Sequence, residues 1–275
     1  MNHCKTIAIV NQKGGVGKTT STVNLGVGLA QAGNRVLLVD DDPQHSLTIS
    51  LGIRNADDDL DTTLATAMQA EIRDESVPWE EGIIHSGEGV DLLPANIELS
   101  GVEMTLFNAM SREQVLKSVL SRVKENYDYI LIDCMPSLGL MSVNALVAAD
   151  SVIIPSAPDF LSTKGLNLLI RTISRVRRQI NPKLKIEGIL LTMTDSRTNY
   201  GKQISALIRQ AYGKHLKVFE QTIPRSVRAA EISAAGKSIF AYDPKGKVAE
   251  AYKSLAKEVL ADADRQRKLS SERAR

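Results

Sequence analysis

Short apolar, β-branched runs alternate along this chain with longer stretches whose apolar positions recur at helical spacing. The first run covers residues 6–10. A glycine-rich loop and a helical stretch over residues 18–32 follow, and Gly33-Asn34 ends that stretch because these residues readily take positive φ. Residues 36–39, Val-Leu-Leu-Val, carry no polar alternation, as a strand covered on both faces requires. Further strands are predicted at residues 90–93, 129–132, 152–154 and 186–192, with a short one near Val218; helices are predicted near residues 112–125, 164–179, 202–212 and 248–263. Strands alternating with crossover helices specify an α/β protein with a doubly wound, mostly parallel sheet flanked by helices. No internal repeat or Pro/Gly/Ser linker divides the chain, so residues 1–263 are read as one domain and residues 264–275 as a polar, fraying tail. Residues 57–89 have the weakest pattern and are expected to form a mobile insertion.

At 275 residues with 43% apolar side chains, the chain can bury one large core. Its apolar runs are too short to span a bilayer, and the N-terminus lacks a basic stretch followed by an apolar core, which points to a cytoplasmic protein. Cys4 and Cys134 show no CxxC spacing and no histidine cluster accompanies them, so they read as reduced, buried thiols rather than a disulfide or zinc site. The formal charge of +2 is unevenly placed: residues 71–103 carry nine acids against Arg73 alone, whereas residues 164–185 carry seven bases, from Lys164 to Lys185, and no acid. One face is therefore expected to be basic.

Residues 11–20 read NQKGGVGKTT between the first strand and the first helix. There, Gly14, Gly15 and Gly17 would let the backbone wrap around phosphate oxygens, Lys18 would reach the β and γ phosphates, and the Thr19 hydroxyl could ligate magnesium. The strict G-x-x-x-x-G-K-[ST] pattern fails at Gln12, and Lys13 is additional. Two lysines so close repel each other unless anions lie between them, which favours a phosphate-facing Lys13. VLLVDDDPQ ends a strand in Asp40, Asp41 and Asp42, and YDYILIDC ends another in Asp133. Ligands of open α/β sheets sit at the carboxyl ends of strands, so these carboxylates should converge on the loop. Asp133 is read as holding magnesium through water, the alternative being an Asp that caps the next helix. Asp41 is expected to be solvated, since adjacent strand side chains point apart.

The variant loop KGGVGKT resembles the deviant Walker A loop of the ParA/MinD group of P-loop ATPases. The resemblance runs from residue 6 to about residue 260. DCMPSLG is similar to the family's DTPPSLG, IPSAPDFLSTKGL to its proline-bracketed second-half motif, and TMTDSRTN, TIPRSVRAAE and GKSIFAYDPKGKVAEAYKSLAKEV to the C-terminal half of Soj-type short ParA proteins. Cys134-Met135 replaces Thr-Pro and Ser156-Ala157 replaces Val-Gln, neither change removing a charged catalytic group. The resemblance implies ATP and Mg2+ as cofactors, with nucleotide contacts from Gly14, Gly15, Val16, Gly17, Lys18, Thr19 and Thr20 and from Pro224 and Arg225. It implies that Lys13 reaches across a homodimer interface to the other subunit's nucleotide and that Asp42 positions the attacking water, completing a catalytic set of Lys13, Lys18 and Asp42. The implied metal set is Thr19, Asp40 and Asp133.

This fold serves many machines, so three functions compete. The first is an ATP-dependent dimeric switch that binds double-stranded DNA without sequence preference and partitions DNA cargo with a ParB-like partner that stimulates slow hydrolysis. Arg171, Arg175 and Arg178 are spaced to share one helix face, and Arg197, Lys202 and Arg228 add nearby charge suited to phosphate contacts. In Soj-like proteins the DNA-contacting arginines lie in these segments, which singles out Arg197 and Arg228. The second function is a MinD-like membrane-associated ATPase, but LADADRQRKLSSERAR offers only Leu260 and Leu269 to an apolar helix face. The third, an iron–sulfur reductase component, would need two well-placed cysteines per subunit, which Cys4 and Cys134 do not supply. Positioning of a protein cluster rather than DNA is a variant of the first. With the first strand starting at about residue 5, neither a helix-turn-helix ahead of the ATPase core nor sequence-specific operator binding is expected. The preferred reading is the first: a cytoplasmic, nucleoid-associated ATPase with no membrane partner.

Overall fold

The computed structural model describes residues 4–195 and 197–273, with side chains except those of residues 160–164 and 266–273; the Lys164 side chain and residues 274–275 lie outside it. Among the described residues a seven-stranded sheet runs β3-β4-β2-β5-β1-β6-β7. Its strands are β1 (Lys5–Ile9), β2 (Val36–Asp41), β3 (Ile84–His85), β4 (Asp91–Leu93), β5 (Tyr129–Cys134), β6 (Ser151–Ser156) and β7 (Lys185–Leu191). Every neighbouring pair is parallel except the β3–β4 hairpin. The helices are α1 (Lys18–Gln31), α2 (Ser46–Ser50), α3 (Ala56–Asp59), α4 (Leu64–Arg73), α5 (Leu99–Leu106), α6 (Val115–Ser121), α7 (Leu140–Ala148), α8 (Phe160–Gln179), α9 (Asn199–Tyr212), α10 (Val227–Ala235), α11 (Ile239–Tyr242) and α12 (Lys247–Arg273). None of them is long and apolar enough to cross a membrane.

Strand alternation divides the core in two. Ile7, Ile9, Leu38 and Leu131 pack with Leu25 of α1 and Leu255 of α12 on one face. Ala8, Val10, Val39 and Ile132 face α4 to α9 on the other. A fully buried aliphatic side chain contributes roughly 1.5–3 kcal/mol, so these two layers drive the sheet together more than its ladder of backbone bonds does. At Gly26 a Cβ would lie 2.5 Å from Leu38 Cδ2, so the missing side chain lets α1 settle against β2.

Residues 57–89 correct the expectation of a mobile insertion. Leu64, Ala65, Ala67, Met68 and Ala70 of α4 are buried, as is Trp79, at 1% exposure. Polar ties hold the segment at several points. The Ile97 N–H donates to Asp57 Oδ1 at 2.8 Å, Arg122 pairs with Glu80 at 2.6 Å while lying over the Trp79 ring, and Glu88 accepts both the N–H and the hydroxyl of Ser238. The density of acids hides an apolar stripe that is small but continuous. Trp79→Ala is expected to cost about 3–5 kcal/mol of unfolding free energy, measurable by urea denaturation, whereas a mobile insertion would lose almost nothing.

The strand expected near Val218 reduces to a single parallel bridge with Ile189. The helix expected over residues 112–125 is confined to α6 and a 3-10 turn at Lys124–Asn126. Helix α12 continues through the polar stretch from Asp264 as far as Arg273. Where α10 ends, Gly236 has φ 63° and packs on Gly52, so closely that a Cβ would lie 2.7 Å from Gly52 Cα.

Candidate functional site

The site forms where the sheet order reverses around β1, the place at which crevices open at the carboxyl ends of parallel strands. Register aligns Ile9 with Asp133 and Asp133 with Asp40, so the strand preceding the glycine loop and two carboxylates end in one row. Gly15 and Gly17 take φ values of 68° and 79°, which any other residue adopts only with strain. Gly17 is also the N-cap of α1, and the loop's N–H groups thus gather at a helix start.

Two contacts that the sequence did not reveal anchor this loop. Asn11 Nδ2 donates to the Pro155 carbonyl at 2.7 Å while its Oδ1 accepts the Lys13 N–H at 3.0 Å, and the Thr192 hydroxyl donates to the Val16 carbonyl at 2.8 Å. The Asn11–Pro155 and Thr192–Val16 bonds each join residues more than a hundred positions apart, beyond any local pattern. Lys18 is buried, its ammonium donating to the Lys13 carbonyl at 3.3 Å. Burial lowers the Lys18 pKa against the opposing charges of Asp133 and Asp42.

Around this lysine the carboxylates are arranged in two layers. Asp133 accepts the Thr19 hydroxyl at 2.6 Å and the Thr22 hydroxyl at 3.2 Å; burial pushes its pKa up to about 7 despite these donors and Lys18. Asp40 accepts the Thr48 N–H and hydroxyl on Oδ2 at 2.8 and 2.7 Å, and burial followed by the charge of Asp133 pushes it up to about 8. Asp40 Oδ1 is buried with no hydrogen-bond partner among the described residues. An all-oxygen set of Thr19, Asp40 and Asp133 with an orphaned buried oxygen suits a hard divalent cation. Asp42 caps the next turn, accepting the Gln44 N–H at 3.0 Å.

Asp41 departs from the expected solvation: it is fully buried. Adjacent side chains do point apart, but the opposite side of this sheet is covered by helices rather than water. Burial and the neighbouring acids raise the Asp41 carboxyl well above the usual carboxylate range.

A cavity of 340 Å³ opens over the loop, lined by Gly15, Gly17, Lys18, Thr19 and Thr20 and by Ser46, Ser50 and Ser233 across from them. A second cavity of 260 Å³ shares Gly17, Thr20 and Met193 with it and brings in Pro224, Arg225 and Tyr252. Through these shared residues the two adjoin, one lined by the glycine loop and hydroxyls and the other by Pro224, Ile223 and Tyr252. Lys13 lines neither; its ammonium pairs with Asp159 at 2.6 Å, with side-chain exposures of 40% and 34%. The repulsion expected between the two lysines is thus met here by a carboxylate supplied from the turn before α8.

The six candidate basic residues separate by environment. Arg171, Arg175 and Arg178 lie exposed along α8, in no ion pair among the described residues, and Lys202 is exposed on α9. Arg197 is held by Asp195 at 3.0 and 3.1 Å, and Arg228 by Asp243 at 2.6 Å. Cys4, directly before β1, and Cys134, the last residue of β5, are buried and in no disulfide among the described residues, and burial pushes Cys4 up to about 12.

Comparison with known proteins agrees with this geometry. A family model described as an AAA domain matches residues 4–186. The chain is 47% identical over 260 residues to the sporulation initiation inhibitor protein Soj of Bacillus subtilis (strain 168), covering 94% of this chain and 99% of that one. It is 42% identical over 270 residues to the chromosome partitioning protein ParA of Caulobacter vibrioides (strain NA1000 / CB15N), covering 97% and 98%. Among solved structures, one described as cobyrinic acid a,c-diamide synthase from Mycobacterium smegmatis with bound ADP and magnesium superposes at a TM-score of 0.80 and 36% identity over 94% of each chain.

Proposed function

The chain belongs to the ParA/Soj type of P-loop ATPases, and on that premise we propose that it is a positioning ATPase whose ATP-bound form dimerises, binds duplex DNA without sequence preference and moves DNA cargo with a ParB-like partner that stimulates slow hydrolysis. The observation that carries the reading is the row of Asp40 and Asp133 beside a glycine loop that buries Lys18. ATP would occupy the two joined cavities, with its phosphates on residues 14–20 and its base toward Pro224 and Arg225. Thr19, Asp40 and Asp133 would hold magnesium, which supplies neutralisation of the β and γ phosphate charge. Lys18 would bind the same oxygens from the protein side, and Asp42 would orient the attacking water.

Lys13 is the candidate for a second subunit, because its position outside both cavities leaves it available to a site other than its own. For DNA, the unpaired row of Arg171, Arg175 and Arg178 offers charge without first breaking an ion pair, whereas Arg197 and Arg228 must each exchange a carboxylate for a phosphate. Those two are accordingly expected to contribute less per side chain than the α8 row.

The direct test is ATP hydrolysis measured with and without non-specific duplex DNA and the product of a neighbouring ParB-like gene. Joint stimulation supports the reading; indifference to both removes the partition part of it. In the same experiment, Arg171→Glu/Arg175→Glu should abolish ATP-dependent duplex binding, with ATP-induced thermal stabilisation unchanged. Each phosphate contact removed should flatten the slope of log K against log salt by about 0.9. Duplex binding equal to wild type would place the DNA surface elsewhere.

A further inference from the structure

Asp41 is a fully buried carboxyl for which neither oxygen has a hydrogen-bond partner among the described residues. A carboxyl in that condition is far more costly than an aliphatic side chain of similar size, and buried polar groups without partners are rare enough to require a cause. The mechanism outlined above makes no use of it.

Its surroundings supply one. Register sets Asp41 beside Cys134, and the Asp41 carbonyl accepts the Met135 N–H at 3.3 Å, so the strand end is stitched to the start of the turn joining β5 to α7. At the far end of that turn lies Glu103 of α5, its Oε1 2.5 Å from where a Cβ on Gly139 would be. Within the turn, the Ser137 N–H donates to the Met135 carbonyl and the Gly139 N–H to the Ser137 hydroxyl. Gly139 is the N-cap of α7 and has no side chain with which to cap it, so among the described residues the helix opens without a side-chain cap for its first N–H groups. A buried acceptor without donors and a helix start without a capping acceptor thus adjoin the same turn, directly after Asp133.

We propose that Asp41 is a positioning residue for ATP hydrolysis: its carboxyl receives the backbone N–H groups at the start of α7 when the turn over residues 135–139 closes on the nucleotide, fixing that turn in its hydrolysing position. The proposal rests on the ATPase reading. Asp41 touches no phosphate in this scheme and acts through the turn. It contributes a cost in the open form that closure removes, which biases the protein toward the closed form once nucleotide is present.

Asp41→Val and Asp41→Asn test it, since valine suits a strand and removes the carboxyl whereas asparagine keeps one acceptor oxygen. Without nucleotide, Asp41→Val should melt at a higher temperature than wild type. Its kcat should fall roughly tenfold or more, through misplacement of the turn, with KM for ATP nearly unchanged. Asp41→Asn should retain more of kcat than Asp41→Val. Wild-type kcat in Asp41→Val would overturn the proposal. So would a lower melting temperature for that variant, which would mean that the carboxyl is already satisfied. Wild-type hydrolysis measured alongside separates the two levels: an inactive wild type overturns the ATPase reading itself, and the positioning role with it.

Discussion

Replacing Lys18 with alanine is expected to abolish ATP binding while leaving the nucleotide-free fold at least as stable as before. The lysine is buried, and burial works against its charged form, so the empty protein gains little from keeping it. Once phosphates arrive the balance reverses, because a buried cation hydrogen-bonded to anionic oxygens is a charge-assisted contact worth about 1.5–3 kcal/mol per bond. Its loss also leaves the phosphates facing Asp133 and Asp42 uncompensated. Together these effects predict at least a hundredfold weaker binding, on the order of 3 kcal/mol or more. Thermal melts with and without ATP and magnesium provide the check. Wild type at a hundredfold excess over Kd should gain about 2.7 kcal/mol of stability, and Lys18→Ala should gain none. A full ATP-dependent shift in the variant would mean that the phosphates bind elsewhere.

Lys13→Ala should give the opposite division, binding kept and hydrolysis lost. Lys13 lines neither cavity and spends its charge on Asp159, so its own subunit's affinity for ATP has little to lose. If the ammonium serves the other subunit's nucleotide as charge develops on the transferring phosphoryl group, its removal should cost about 10²–10³-fold in kcat, as for other preorganised electrostatic donors. The thermal shift with ATP should be close to wild type. Equal turnover by wild type and Lys13→Ala would sink the cross-subunit role and leave Lys13 as half of a surface ion pair, a contact worth less than about 1 kcal/mol.

Much of the sheet was legible in the sequence because a strand covered on both faces must be written almost wholly in apolar residues, as Val36–Val39 and Ile130–Ile132 are. The same uniformity concealed α7, where Leu-Met-Ser-Val-Asn-Ala-Leu-Val-Ala is buried nearly all round and leaves no polar side to mark a period. The stripe of α4 was lost for a different reason: alanines at three of its five buried positions make a weak signal in a stretch rich in acids. At the site, the glycine loop and the strand-end acids are local features, and the structure brings them together. What could not be read were pairings across long separations, such as Lys13 with Asp159, Thr192 with Val16 and Asn11 with Pro155, since no periodicity records which turns will meet. Asp41 was misread although the alternation rule was applied correctly. The rule gives the direction of a side chain and is silent on what lies there.

The meeting of Gly52 with Gly236 has a mechanical meaning. Side chains in a helix contact can absorb displacement by changing rotamer, but here main chain rests on main chain, with nothing compressible between them. A hydroxyl contact from Ser50 to Ser233 and a bond from Arg54 to the Ala234 carbonyl fasten the same seam. Helix α2 hangs from Asp40 through Thr48, and α10 carries Arg228 on its outer side. The seam therefore has little slack: travel at the carboxyl end of β2 is expected to reach α10 rather than be absorbed by a change of rotamer.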